Sequence, residues 1–240
     1  LVLILLLFST GLMLKLVYKP FPEMAYDSIL TIQRDVPFGL WIRNIHHWSA
    51  NFLAIVLFLH MQRVFFTGGF RHPRQFNWVV GVMLFLLVLA SNFTGYLLPW
   101  DQLAYWAVTI STGMLDYVPV VGIWLQMVIR GGAELGPTSL LLFFALHTAF
   151  LPMGIFMLLM FHFWRVRKAG GVAVPLVPES ERADRPTIAV FPDLMLKELV
   201  TGLWAVAFVL VFSIMFNAPL EMQANPGLSP NPAKAPWFFI

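Results

Sequence analysis

Cysteine is absent from all 240 residues. Disulfides, iron–sulfur ligation and thioether attachment of haem are therefore excluded within this stretch. Charge is scarce as well: Asp, Glu, Lys and Arg make up 11% of the chain, where a soluble domain carries about 25%. The net charge of +3 is small and scattered, which argues against a nucleic-acid partner. The chain does not open with Met, and its first residues already lie in an apolar run. It is expected to be a piece of something longer, and a leader peptide is not open to judgement.

Apolar residues fill the space, at 59% of the chain with a mean hydropathy of +0.78. Runs long enough to cross a bilayer, roughly 17–25 residues, occupy about 48–66, 78–98, 140–164 and 199–217, and residues 1–18 read as the remainder of another. The expected fold class is all-α, a polytopic transmembrane helical bundle with a four-helix core and a fifth transmembrane helix. A large soluble helical core does not suit runs so long and so poor in charge.

The connection after the second run (62–77) carries Arg63, Arg71 and Arg74 without an acidic residue, and the one after the fourth opens with Arg165, Arg167 and Lys168. Between the third and fourth runs (99–137), Asp101, Asp116 and Glu134 stand against Arg130 alone. The positive-inside rule puts the first two connections on the cytoplasmic, electrically negative side and the third on the positive side. In that third connection, DQLAYWAVTISTGM and VGIWLQMVIR read as short surface helices within 101–130. Residues 169–196, rich in proline and of mixed charge, read as a linker between a unit at 1–168 and the start of a second at 197–240.

Histidine inside such runs needs a partner, since hydrocarbon offers its nitrogens nothing. The second run holds His46, His47 and His60, and the fourth holds His147 and His162. At 100° per residue, the 14 steps from His46 to His60 sum to about −40°, nearly one face. From His47 the sum is about −140°, so His47 is expected to point outward. The 15 steps from His147 to His162 sum to about +60°, again one broad face. Either interval separates its histidines by ~21–22 Å. Both helices run in the same direction, which sets His46 level with His147 and His60 level with His162. Facing histidines at two depths can clamp two stacked iron porphyrins inside a ~30 Å core. Bis-histidine ligation leaves no open iron position and favours electron transfer.

Arg43 and Arg63 each lie one turn outside a histidine, toward water, where a guanidinium can pair with haem propionates or simply anchor the helix at the interface. Gly81 and Gly95, also 14 apart, and Gly11 on the first run are candidates for packing across porphyrin faces where a Cβ would collide. Pro152, between the two levels of the fourth run, is expected to kink it so that both histidines of the longer interval face one column.

The phrases IRNIHHWSANFLAIVLFLH, RVFFTGGFRHPRQFNWVVGV, TGYLLPWDQLAYWAVTISTG and FFALHTAFLPMGIFMLLMFHF resemble the cytochrome b of quinol–cytochrome c and quinol–plastocyanin reductases. The 15-step interval resembles the short, split type of cytochrome bf complexes. The stretch from the fifth run to NPAKAPWFFI resembles the opening of that family's subunit IV, here fused to the first part. The resemblance implies two haem b cofactors, with His46 and His147 holding the positive-side haem and His60 and His162 the negative-side one. It implies quinol as substrate, in a positive-side pocket bordered by Tyr105, Trp106, Ala107, Pro236 and Trp237. Implied partners are an iron–sulfur protein, a c-type cytochrome, quinone and lipid, in a dimer of complexes within a bacterial cytoplasmic or photosynthetic membrane.

Three departures stand out. The family's Pro-Glu-Trp-Tyr motif is represented by Ala235, Pro236, Trp237 and Phe238, and a proline cannot accept the proton a carboxylate accepts. Leu142 stands where the family usually has an arginine. The cysteine that holds an additional haem in the split type would precede Leu1, so that haem stays undecided. Two alternatives remain open at this point. One is a haem-bearing membrane wire or anchor serving a different peripheral module, without a bifurcating site. The other is a haem-free transporter, which would need broken helices around a polar site.

Overall fold

The computed structural model describes residues 1–171, 189–229 and 237. Its helices are α1 (Val2–Lys15), α2 (Pro22–Arg34), α3 (Gly39–Phe66), α4 (Gln75–Leu97), α5 (Gln102–Gly113), α6 (Gly122–Arg130), α7 (Pro137–Ala145), α8 (Leu151–Lys168) and α9 (Met195–Met215). A π turn, Leu146–Phe150, joins α7 to α8 as one span, and a second at Val190–Leu194 leads into α9. Among the described residues there is no strand, only an isolated bridge between Asp101 and Gln223. Four spans, Gly39–Phe66, Gln75–Leu97, Pro137–Lys168 and Val190–Met215, are long and apolar enough to cross a membrane. α1 is apolar but has 14 residues, about 21 Å of helix.

The outer faces carry large apolar side chains with nothing over them. Phe58 and Leu59 on α3, Phe156 and Met157 on α8, and Trp204 on α9 are all exposed. Such surfaces suit lipid, where every backbone group is already satisfied within its helix. A compact core of Ile32, Leu97, Trp100, Val108, Leu140 and Phe143 ties one end of the bundle together.

Two elements differ from the hydropathy expectation. α3 starts at Gly39, well before the apolar run at 48, because Arg43, Asn44, His46 and His47 lower the hydropathy without breaking the helix. A Cβ on Gly39 would collide with the Ile32 carbonyl oxygen, so the sharp α2–α3 corner requires glycine there. α2 itself has no long apolar run. Pro22 starts it, and Ala25, Ser28, Ile29 and Ile32 are buried at helical spacing.

The segment after α9 is stitched to that same end. Arg43 donates to the carbonyls of Ala218 (2.9 Å) and Pro219 (2.6 Å). Asn44 donates to Ser213 O and Asn217 Oδ1 and accepts from Ala218 N–H, at 2.9–3.0 Å. Tyr26 donates to Glu221 O at 2.9 Å, and Trp48 to Phe216 O at 2.7 Å. Gln102 accepts from Asn225 N–H through Oε1 at 2.7 Å and donates through Nε2 to Leu228 O. The linker expected at 169–196 lies mostly outside the described residues, as does Pro236.

Candidate functional site

α3 and the π turn bring the His46 and His147 rings together edge to face. Their ring centroids are 6.1 Å apart with planes at 75°. Two metal–nitrogen bonds of about 2 Å each, plus the two ring radii, come to about this separation. Nδ1 of His147 lies 2.9 Å from Ser91 O. A carbonyl only accepts, so Nδ1 carries the proton and Nε2 keeps its lone pair. Nδ1 of His46 lies 3.0 Å from Thr10 Oγ1, whose own hydroxyl is spent on Leu6 O. The same tautomer follows. Orienting Nδ1 by a fixed acceptor and presenting Nε2 is how ligating imidazoles are held.

The three glycines lie against histidines one for one. A Cβ on Gly95 would sit 2.5 Å from His147 Cε1, one on Gly11 3.1 Å from His46 Cε1, and one on Gly81 3.6 Å from His162 Cε1. The second level is formed by His60 of α3 and His162 of α8. His60 is exposed, with Arg63 beside it. His162 Nδ1 is buried without a hydrogen bond of normal geometry. A flat prosthetic group clamped by neutral imidazoles and flanked by glycine fits this arrangement at the first level in detail and at the second in outline.

The π turn reconciles the two intervals. It admits one extra residue between His147 and His162, so their net rotation falls to about that of 14 α-helical steps, −40°, the value on α3. Pro152 lies two residues past its end. Its missing N–H leaves no α-type bond to the carbonyl four residues back, and the wider turn before it relieves the clash. The expected interruption of the fourth run is therefore a π turn.

His47 is half-buried and not freely outward. It packs edge-on against Trp48 at 4.9 Å, and its carbonyl accepts from Asn51 Nδ2. Asn51 Oδ1 accepts from Trp237 Nε1 at 2.6 Å. Arg43 spends two of its five donors on the tail. Leu142 is partly buried on α7.

Tyr105 is buried against Trp100, and Trp106 packs on Tyr105 with its indole N–H buried and unpaired. Burial pushes the Tyr105 hydroxyl pKa up. One turn beyond Ala107, Ser111 donates back to the Ala107 carbonyl at 2.7 Å. Ser111 also lines an apolar cavity of about 300 Å³ with Leu86, Leu89, Ala90 and Phe93 of α4. That cavity was not legible in the sequence, because it depends on how α5 crosses α4. Asp101 caps α5 through Ala104 N–H (2.9 Å) and holds Glu221 N–H (3.1 Å). Burial raises its carboxyl pKa, against the opposing pull of those two bonds and of Arg43.

An integral-membrane helical bundle with imidazoles facing across its interior defines a class of prosthetic-group-binding membrane proteins. The family model for cytochrome b/b6/petB matches residues 1–170. Cytochrome b6 of Prochlorococcus marinus (strain MIT 9211) is 43% identical over 170 residues, 71% of this chain and 78% of that one. Cytochrome b6 of Desmonostoc sp. (strain PCC 7906) is 42% identical over 163 residues, 68% of this chain and 76% of that one. A solved chain titled hyperthermophilic respiratory Complex III superposes with a TM-score of 0.88 at 28% identity, over 99% of this chain and 65% of its own length. The chain belongs to the cytochrome b/b6 family, and that membership implies haem b binding.

Proposed function

We propose that this chain is the di-haem electron-transfer subunit of a quinol-oxidising complex. Its positive-side haem would be held by His46 and His147 and its negative-side haem by His60 and His162. The observation that carries this reading is the His46–His147 pair, 6.1 Å apart with both Nδ1 atoms committed elsewhere. When bound, haem supplies one-electron redox chemistry. The protein's own part is to fix the depth of the two levels, to keep Nε2 available at each and to exclude water with apolar walls.

The α4–α5 cavity suits an apolar quinone body, and Ser111, bonded back to the Ala107 carbonyl, marks its α5 edge. Arg63 beside His60 supports a propionate contact on the negative side. Arg43, with three donors left beyond its tail bonds, supports one on the positive side. Partners would be an iron–sulfur protein and a c-type cytochrome, in a bacterial cytoplasmic or photosynthetic membrane, with the complex a dimer. The stretch from α9 onward reads as the fused start of a subunit IV-like part. One observation favours a second reading, a haem-bearing wire without a bifurcating site: Pro236 stands where the family carries its proton-accepting glutamate.

A dithionite-reduced minus oxidised spectrum, with haem counted after extraction into pyridine, tests the first reading. Two b haems per chain are expected, and none in a folded preparation would overturn it. Quinol turnover that resists inhibitors of the positive-side pocket would favour the wire.

A further inference from the structure

At the negative-side ends of α4 and α8 lies a second pocket, about 170 Å³, lined by Pro73, Arg165, Lys168 and Ala169. We propose that it binds the phosphodiester headgroup of an anionic phospholipid from the negative-side leaflet. The charges suit an anion. Arg165 and Lys168 are one turn apart on α8, and among the described residues neither is paired with a carboxylate. Arg165 Nε is buried and makes no hydrogen bond. Its guanidinium is held over the Phe76 ring at 5.4 Å, and Lys168 Nζ lies 5.1 Å from the Trp164 ring centre. Two cations are thus pre-positioned on aromatic faces with donors to spare.

The backbone agrees with the side chains. α4 begins at Gln75, two residues past Pro73, so the positive end of its dipole adjoins the pocket. The last carbonyls of α8 would repel an anion, but Arg74 covers this end by donating to Ala169 O and Gly171 O, both at 2.7 Å.

The aromatic rings beneath the two cations point to a lipid as the occupant. Phe76, Phe161 and Trp164 form a continuous edge-to-face and tilted stack, with centroids 6.1 and 5.5 Å apart. All three are exposed, with the Arg165 guanidinium over Phe76 and the Lys168 ammonium over Trp164. A headgroup in the pocket would lay its acyl chains along this stack. Basic pockets at the cytoplasmic ends of transmembrane helices take anionic headgroups in this way.

The test is native mass spectrometry of the haem-loaded, detergent-solubilised protein after incubation with dioleoyl phosphatidylglycerol or dioleoyl phosphatidylcholine at equal concentration. Wild type should retain one phosphatidylglycerol at least ten-fold in excess of phosphatidylcholine. The double variant R165Q/K168Q should lose that excess while keeping its reduced haem spectrum, and R165K/K168R should retain it. Equal retention of both lipids by wild type, or undiminished phosphatidylglycerol on R165Q/K168Q, would overturn the proposal. So would equal thermal stabilisation of wild type by inorganic phosphate, because the acyl chains would then contribute nothing.

Discussion

At the scale of single residues, the histidines were legible because intramembrane imidazoles are rare and their intervals matched. Their hydrogen-bond acceptors were not. Thr10 sits 36 positions before His46 and Ser91 sits 56 before His147, and nothing in either neighbourhood marks a carbonyl or hydroxyl as the one an imidazole will meet. Glycine spacing was legible, and its meaning sharpens in the structure: Gly95 makes room for His147 with no slack. Gly95→Ala places a methyl 2.5 Å from Cε1, which the ring can avoid only by turning off its axis. Extracted haem should fall from two to one per chain, with His60 and His162 unaffected. Two haems at unchanged potentials would show that the glycine serves only helix approach.

At the scale of elements, hydropathy found the long helices and the paired helices α5 and α6, but it missed α2 and misjudged the start of α3. In both places buried isoleucines (Ile29 and Ile32 on α2, Ile45 on α3) stand among polar residues, which hold the hydropathy window down. The π turn was equally hidden, although the interval of 15 against 14 and the nearby Pro152 hinted at it. If the turn only absorbs an extra residue, removing that residue should be tolerated where adding one elsewhere is not. Deleting Ala149 should leave two haems per chain. Inserting an alanine between Leu53 and Ala54 on α3 should rotate His60 away by about 100° and lose the negative-side haem. Equal haem loss in both variants, measured after extraction into pyridine, would remove the register role from the π turn.

At the scale of the whole molecule, the tail after α9 locks the positive-side end. None of its contacts could be read from sequence, since each joins residues more than a hundred positions apart. Asn44 is one knot, with three side-chain bonds reaching 169 to 174 residues downstream to the end of α9 and the tail. Asn44→Ala leaves a buried carbonyl and a buried amide without partners, at about 1–3 kcal/mol each. The expected outcome is a segment 216–229 that an added protease cuts from the positive side at least ten-fold faster, while the four-helix haem spectrum persists. Unchanged cleavage would mean that Arg43 and Gln102 hold the tail without it.

The distance between Arg43 and its carbonyl partners also has a history in time. Those partners follow it by 175 and 176 residues, which a ribosome covers in on the order of 10–35 s. Through that interval three further spans are threaded while Arg43 has neither of these carbonyls to bond. The N-terminal end of α3 is thus finished last, when the tail arrives to bond Arg43 and Asn44.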